Sequence, residues 1–130
     1  MIFSIAVFGG PYSSQASLSA LRFADAVLRG DHTLLRVFFY ADGVYNGNSL
    51  LVPPQDELHL YRQWQQFSRQ HQVELVVCIA SALRRGMLDK NEAARYEKKN
   101  HTLTPDFTVS GLGQLIDAGL QSDRLVTFRA

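Results

Sequence analysis

Residues 73–86 read VELVVCIASALRRG and combine an apolar run with a short helical pattern. The first half, VELVVCI, is a short apolar run that predicts a buried strand. The residues that follow, Ile79–Leu83, predict a short helical turn. A buried strand that runs directly into a helix is typical of a parallel sheet covered by helices on both faces. The only cysteine of the chain, Cys78, then lies at the carboxyl end of that strand.

Further strands are predicted on both sides of this stretch. Apolar runs rich in β-branched and aromatic residues indicate strands at Ile2–Phe8 and Thr33–Tyr40. A brief fourth strand is expected at Phe107–Val109 and a last one at Arg124–Phe128. The chain therefore supplies about five strands.

Helical periodicity fills the segments between the strands. Two amphipathic helices are predicted by apolar residues at three- and four-residue spacing, namely Ala20, Phe23, Ala24 and Val27 in the first and Leu60, Trp64 and Phe67 in the second. Asp89 and Glu92 predict the capped start of a peripheral helix. Ser110 is expected to cap a final helix that carries Leu112, Leu115 and Ile116.

The alternation of strands and helices over 130 residues predicts one α/β domain, residues 1–130. The expected architecture is a flavodoxin-like three-layer sandwich of about five mostly parallel strands with helices on both faces. In such sheets, ligands and reactive groups collect beyond the carboxyl ends of the strands. Three candidate loops lie there: Gly9–Gln15, Ala41–Asn48 and the segment from Cys78 onward.

The charge balance excludes several kinds of partner. Lys plus Arg number 13 and Asp plus Glu number 12, which leaves no field to hold nucleic acid or an anionic membrane. The apolar start, Met1–Phe8, lacks a basic beginning and is too short for a membrane span or the core of a signal peptide. We therefore expect no direct nucleic-acid binding, no membrane association and a cytoplasmic location.

The residues alone leave two interpretations of Cys78 open. Free cysteine commonly packs as a small, inert hydrophobe. A reactive cysteine needs its thiolate, which cations or a helix N-terminus stabilise, and Arg84 and Arg85 follow within a few residues. Paired arginines more often form a solvated face or a contact with a partner.

Other motifs carry weaker signals. The loop GGPYSS, residues 9–14, lacks the spacing of a Walker loop or a dinucleotide fingerprint, so it predicts a tight connection. The four histidines show no ligand spacing and the chain has no CxxC pair, so no metal site is expected. The basic run of Arg95, Lys98 and Lys99 is predicted to stay solvated.

Four segments resemble the DsrE/TusD family of sulfur-relay proteins, namely GPYSSQAS at 10–17, FFYADGVYNGN at 38–48, VVCIASALRRGMLD at 76–89 and FTVSGLGQL at 107–115. Their order and spacing also match, and the cysteine followed by Ala-Leu-Arg-Arg-Gly is the most specific part. The resemblance implies that Cys78 is the catalytic residue of a sulfurtransferase. It would carry sulfane sulfur as a persulfide, from a small donor protein to an acceptor protein, without a cofactor.

The resemblance also implies partners. TusD-like members assemble with TusB-like and TusC-like sister subunits into a heterohexamer that serves 2-thiolation of the tRNA wobble uridine. DsrE-like members work with DsrF-like and DsrH-like subunits in sulfur oxidation. The segment Tyr96–Pro105 departs from the family pattern. A TusD-like carrier is the resulting expectation, and the alternatives are a DsrE-like subunit, a non-catalytic structural subunit, or a small nucleotide- or flavin-binding module.

Overall fold

Five strands form one sheet in the computed structural model, which describes residues 1–130. They are β1 (Ile2–Val7), β2 (Thr33–Phe39), β3 (Glu74–Cys78), β4 (Phe107–Ser110) and β5 (Arg124–Phe128). Their order across the sheet is β4-β3-β2-β1-β5, and every neighbouring pair is parallel. The predicted three-layer α/β sandwich is confirmed.

Five α-helices and one 3₁₀ helix connect the strands. The α-helices are α1 (Ala16–Arg29), α2 (Leu60–His71), α3 (Ile79–Arg84), α4 (Lys90–Arg95) and α5 (Gly113–Gln121). The 3₁₀ helix spans Ala41–Gly47, where the sequence predicted a loop. None of the helices combines the length and the apolar character that crossing a membrane requires.

The strand order explains how the helices divide between the two faces. From β1 to β4 the chain steps across the sheet in one direction, so right-handed crossovers place the connecting helices on the same face. The return from β4 to β5 reverses that direction and places α5 on the opposite face. One face is therefore covered by several helices and the other by α5 alone.

The larger core lies beneath α1 and α2. The predicted apolar faces of both helices contribute to it, with Ala20, Ala24, Val27 and Trp64 almost fully buried. Phe23 is only partly buried, between Phe3 and Phe128. The core on the α5 face is small and consists of Phe38, Val76 and Cys78, with Tyr40 and Leu115 packed against them.

Of the two predicted helix caps, the structure contains one, at α4, and lacks the other, at α5. Asp89 caps α4 as expected, because its Oδ1 accepts the backbone N–H of Glu92 at 2.8 Å. The prediction that Ser110 caps α5 is wrong. Ser110 continues β4, where it pairs in register with Cys78, and α5 begins at Gly113 without a side-chain cap. Strand pairing therefore takes the residue that the sequence assigned to the helix.

Candidate functional site at the carboxyl edge of the sheet

The three loops predicted to meet at the carboxyl edge do meet there, and Asn46 connects two of them. Its Nδ2 donates to the carbonyl oxygen of Gly9 at 3.1 Å and to that of Gly43 at 2.9 Å. Its Oδ1 accepts from the hydroxyl of Ser17 at 2.6 Å, and that hydroxyl accepts from Trp64 Nε1 at 3.0 Å. Because these polar groups are buried, each bond satisfies a group that water cannot reach.

The 3₁₀ helix approaches the β1 backbone closely at Gly43. A Cβ at this position would lie 2.0 Å from the carbonyl oxygen of Val7 and 2.9 Å from its carbonyl carbon. Only glycine therefore allows the 3₁₀ helix to sit directly on the end of β1.

Two hydrogen-bonded contacts join the 3₁₀ helix to α3. The backbone N–H of Ala41 donates to the hydroxyl of Ser81 at 3.0 Å. Arg85 Nε donates to Asp42 Oδ1 at 2.8 Å, and Arg85 Nη1 donates to the carbonyl oxygen of Ser81 at 3.2 Å. Helix α3, which follows the cysteine, is thus fixed to the 3₁₀ helix near both of its ends.

Cys78 is the last residue of β3 and the residue before α3. Its side chain is 1% exposed and packs with Phe38 and Val76. Tyr40 and Leu115, both half-buried, complete the cover over the Cys78 side chain on the α5 face of the sheet. A sulfur atom on another protein therefore reaches Cys78 only after part of this cover moves.

The two arginines that the sequence placed near the cysteine have different surroundings. Arg85 is held by Asp42, as described above, whereas Arg84 is exposed and has no ion-pair partner. Neither guanidinium donates a hydrogen bond to the sulfur. Arg85 therefore has a structural contact within the chain, and Arg84 is free to contact another molecule.

A buried arginine fixes α5 over the cysteine. Arg36, 8% exposed, donates from Nη1 to the carbonyl oxygen of Gln114 at 2.8 Å and to Asp117 Oδ2 at 3.0 Å. Its Nε donates to Glu74 Oε2 at 3.1 Å. Hydrogen bonds from Gln121 and then from Arg36 hold the pKa of Asp117 below its ordinary value. These charge-assisted bonds keep Leu115, on the same helix, above the sulfur.

The predicted loop GGPYSS uses two of its three hydroxyls, those of Tyr12 and Ser14, within the chain. Tyr12 donates to the carbonyl oxygen of Leu58 at 2.8 Å and accepts from the N–H of Leu60 at 3.0 Å. Ser14 Oγ accepts from the N–H of Ala16 at 3.3 Å. The predicted role of this loop as a tight connection therefore agrees with its contacts.

The residues that position the 3₁₀ helix and α3 give little signal in the sequence. Asn46 resembles an ordinary turn residue, and Asp42 and Arg85 are too far apart in the chain for their pairing to show. Ser81 left one signal, a single hydroxyl within the otherwise apolar turn Ile79–Leu83. A polar side chain in such a turn indicates a buried hydrogen-bond partner nearby.

Comparison with known proteins gives this geometry a family. The model of the DsrE/DsrF-like family matches residues 1–128. The chain belongs to the DsrE/DsrF-like family. It is 49% identical over 128 residues to a Salmonella enteritidis protein named sulfurtransferase TusD, covering 98% of this chain and 100% of that one. It is 47% identical over 128 residues to the DsrE protein of Allochromatium vinosum, covering 98% of both chains.

A solved structure shows the same fold. The YchN protein from E. coli superposes with a TM-score of 0.75, covering 98% of this chain and 97% of that one at 22% sequence identity. At that identity the likeness concerns the fold alone. The family resemblance seen in the sequence motifs is confirmed by the two sequence comparisons.

Proposed function

We propose that this chain, a sulfurtransferase of the DsrE/DsrF-like family, carries sulfane sulfur as a persulfide on Cys78 from a small donor protein to an acceptor protein. One observation carries the proposal: the only cysteine lies at the carboxyl end of an inner strand, where the three edge loops converge. This is the edge at which parallel sheets place their reactive groups.

The chemistry is thiol exchange carried out twice. In the loading step, the Cys78 thiolate attacks the outer sulfur of the donor persulfide, and the donor leaves as a thiolate. In the unloading step, the acceptor thiolate attacks the outer sulfur on Cys78, and Cys78 leaves as a thiolate. Sulfur changes carrier while electrons and protons balance, so no external oxidant, reductant, metal or cofactor takes part.

The burial of Cys78 suits such a carrier. A persulfide formed beneath Tyr40 and Leu115 is shielded from bulk oxidants, which act on exposed thiolates. The chain also has no second cysteine that would expel the sulfur by forming an internal disulfide. The cover has to open for exchange, so we assign the opening to the docking of a partner.

We further propose that the chain works with TusB-like and TusC-like sister subunits in a heterohexamer. The outer side of α5 supports an assembly, because Leu112, Ile116 and Leu120 repeat every four residues and are 46%, 63% and 82% exposed. Such a stripe of exposed large apolar side chains is typical of a surface that a partner covers. Since α5 also covers Cys78, assembly and access to the thiol would be coupled.

The proposed pathway is 2-thiolation of the tRNA wobble uridine in the cytoplasm, where a free thiol stays reduced. A specific observation keeps a second pathway open. Identity to the DsrE protein, 47%, is almost as high as identity to TusD, 49%, so sulfur oxidation with DsrF-like and DsrH-like subunits is the alternative.

The test is complementation of a strain that lacks this protein, with 2-thiouridine in tRNA measured by liquid chromatography. Wild-type chain should restore the modified base, whereas Cys78→Ser should not, although it should still co-purify with the sister subunits. Restoration by Cys78→Ser would show a structural subunit instead. Failure of the wild-type chain would shift the pathway to sulfur oxidation.

A further inference from the structure

A groove of about 510 Å³ lies beside α3, the helix that follows Cys78. Its lining includes the apolar side chains of Leu83 and Leu88 together with Tyr96. Ala80, only two residues after Cys78, also lines the groove. The groove therefore opens next to the segment that carries the proposed reactive sulfur.

The charges at this groove are all positive. Arg84 and Lys98 line it, and no carboxylate does. Both side chains are exposed and lack an ion-pair partner, in contrast to Arg85 and Arg95, which pair with Asp42 and Glu92. Two unpaired cations beside apolar lining residues are complementary to a segment of a partner protein in which carboxylates flank an apolar side chain.

Tyr96 adds a second indication of contact. Tyr96 is 50% exposed, and its hydroxyl makes no hydrogen bond in the chain. Tyrosine and arginine beside apolar side chains are enriched in protein interfaces. This residue begins the segment Tyr96–Pro105, which departs from the family pattern and which the proposed chemistry does not otherwise use.

We propose that this groove docks an acidic, partly apolar segment of the protein that donates sulfur to Cys78. The proposal rests on the function proposed above. The donor is the occupant to which we commit, because negative charge develops on the donor's sulfur during loading, whereas the acceptor's sulfur loses its negative charge during unloading. Cations on the surface that faces the partner stabilise the negatively charged donor thiolate. They also attract the donor's carboxylates as it approaches.

The test is the rate at which Cys78 gains sulfur, followed by intact mass, as a function of donor concentration. The donor is the small sulfur-carrier protein, charged by cysteine desulfurase and cysteine, that loads the wild-type chain. Arg84→Glu and Tyr96→Ala alter the groove. Arg22→Glu, on the exposed side of α1, makes the same charge change away from the groove.

Arg84→Glu should raise the donor concentration for half-maximal loading about tenfold at low salt, and the difference should shrink as salt is added. Tyr96→Ala should raise it severalfold, independently of salt. Arg22→Glu should leave it unchanged. Inorganic polysulfide, which needs no docking, should load all four proteins at the same rate at high salt, where its own charge is screened.

Unchanged half-saturation in both Arg84→Glu and Tyr96→Ala would overturn the proposal. An equal effect of Arg22→Glu would also overturn it, because net charge would then be responsible. If Arg84→Glu slowed only the transfer from Cys78 to the acceptor, the groove would belong to the acceptor and not to the donor. If neither the carrier protein nor polysulfide loaded wild-type Cys78, the proposed function would fail, which is a result distinct from failure of the groove.

Discussion

Substituting Gly43 by alanine tests how the carboxyl edge is built. The added Cβ would lie 2.0 Å from the carbonyl oxygen of Val7, about 1.5 Å inside a comfortable contact of roughly 3.5 Å. The obstructing atom belongs to the β1 backbone, so no side chain can rotate away. The 3₁₀ helix has to lift, and this weakens the hydrogen bonds that Asn46, Ala41 and Asp42 make.

Overpacking of this kind destabilises proteins by about 1–3 kcal/mol. We expect the upper end, about 3 kcal/mol, which is a fall in Tm of about 10 °C for a domain of this size. Urea unfolding monitored by tryptophan fluorescence gives the free energy directly, because the only tryptophan, Trp64, lies in the affected network.

The matched control is Gly111→Ala, where the new Cβ meets no atom within 4 Å. This variant should unfold within about 0.5 kcal/mol of the wild type. A Gly43→Ala protein equally close to the wild type would show that the close approach to β1 places no demand on residue 43.

Three further outcomes are expected. Leu115→Ala should make Cys78 react with iodoacetamide about tenfold faster. The substitution removes about 1.4 kcal/mol of apolar burial over the sulfur, which favours opening of the cover by that factor. An unchanged rate would show that α5 does not cover the thiol. Ser81→Ala should lower the free energy of unfolding by about 1–3 kcal/mol, because a backbone N–H loses its acceptor, and urea titration measures this. Hydrogen bonds from Arg69 hold the pKa of Asp106 below its ordinary value. The stabilisation from this carboxylate is therefore complete above about pH 4 and is lost as pH falls through the lower pKa of the folded state. Asp106→Asn should unfold with a weaker dependence on pH in that range, and identical acid profiles would argue against the ion pair.

The strands were predictable because each is a short apolar run with a clear end. Five parallel strands leave little choice of architecture, so the three-layer fold and the edge that holds Cys78 followed from local patterns. The start of α5 was not predictable locally. Ser110 before a glycine resembles a helix cap, and only its pairing with Cys78 across the sheet makes it part of a strand.

The packing of the site depends on contacts that no local pattern contains. The 3₁₀ helix at Ala41–Gly47 has the composition of an ordinary turn, and its close approach to β1 becomes visible only in three dimensions. The cover over Cys78 is similar, because α5 follows β4 in sequence but crosses to the opposite face of the sheet. The sequence therefore predicted where the sulfur lies but not what shields it.

The intact mass of the protein shows whether Cys78 carries sulfur. The chain is incubated with cysteine desulfurase, cysteine and a small sulfur-carrier protein, with the proposed TusB-like and TusC-like subunits present, in wild-type form and as Cys78→Ser. We predict that the wild-type chain gains one sulfur atom, which a reductant removes, and that the variant gains none. A folded wild-type chain that gains no mass, or a variant that gains the same mass, would contradict the proposal that Cys78 carries sulfur.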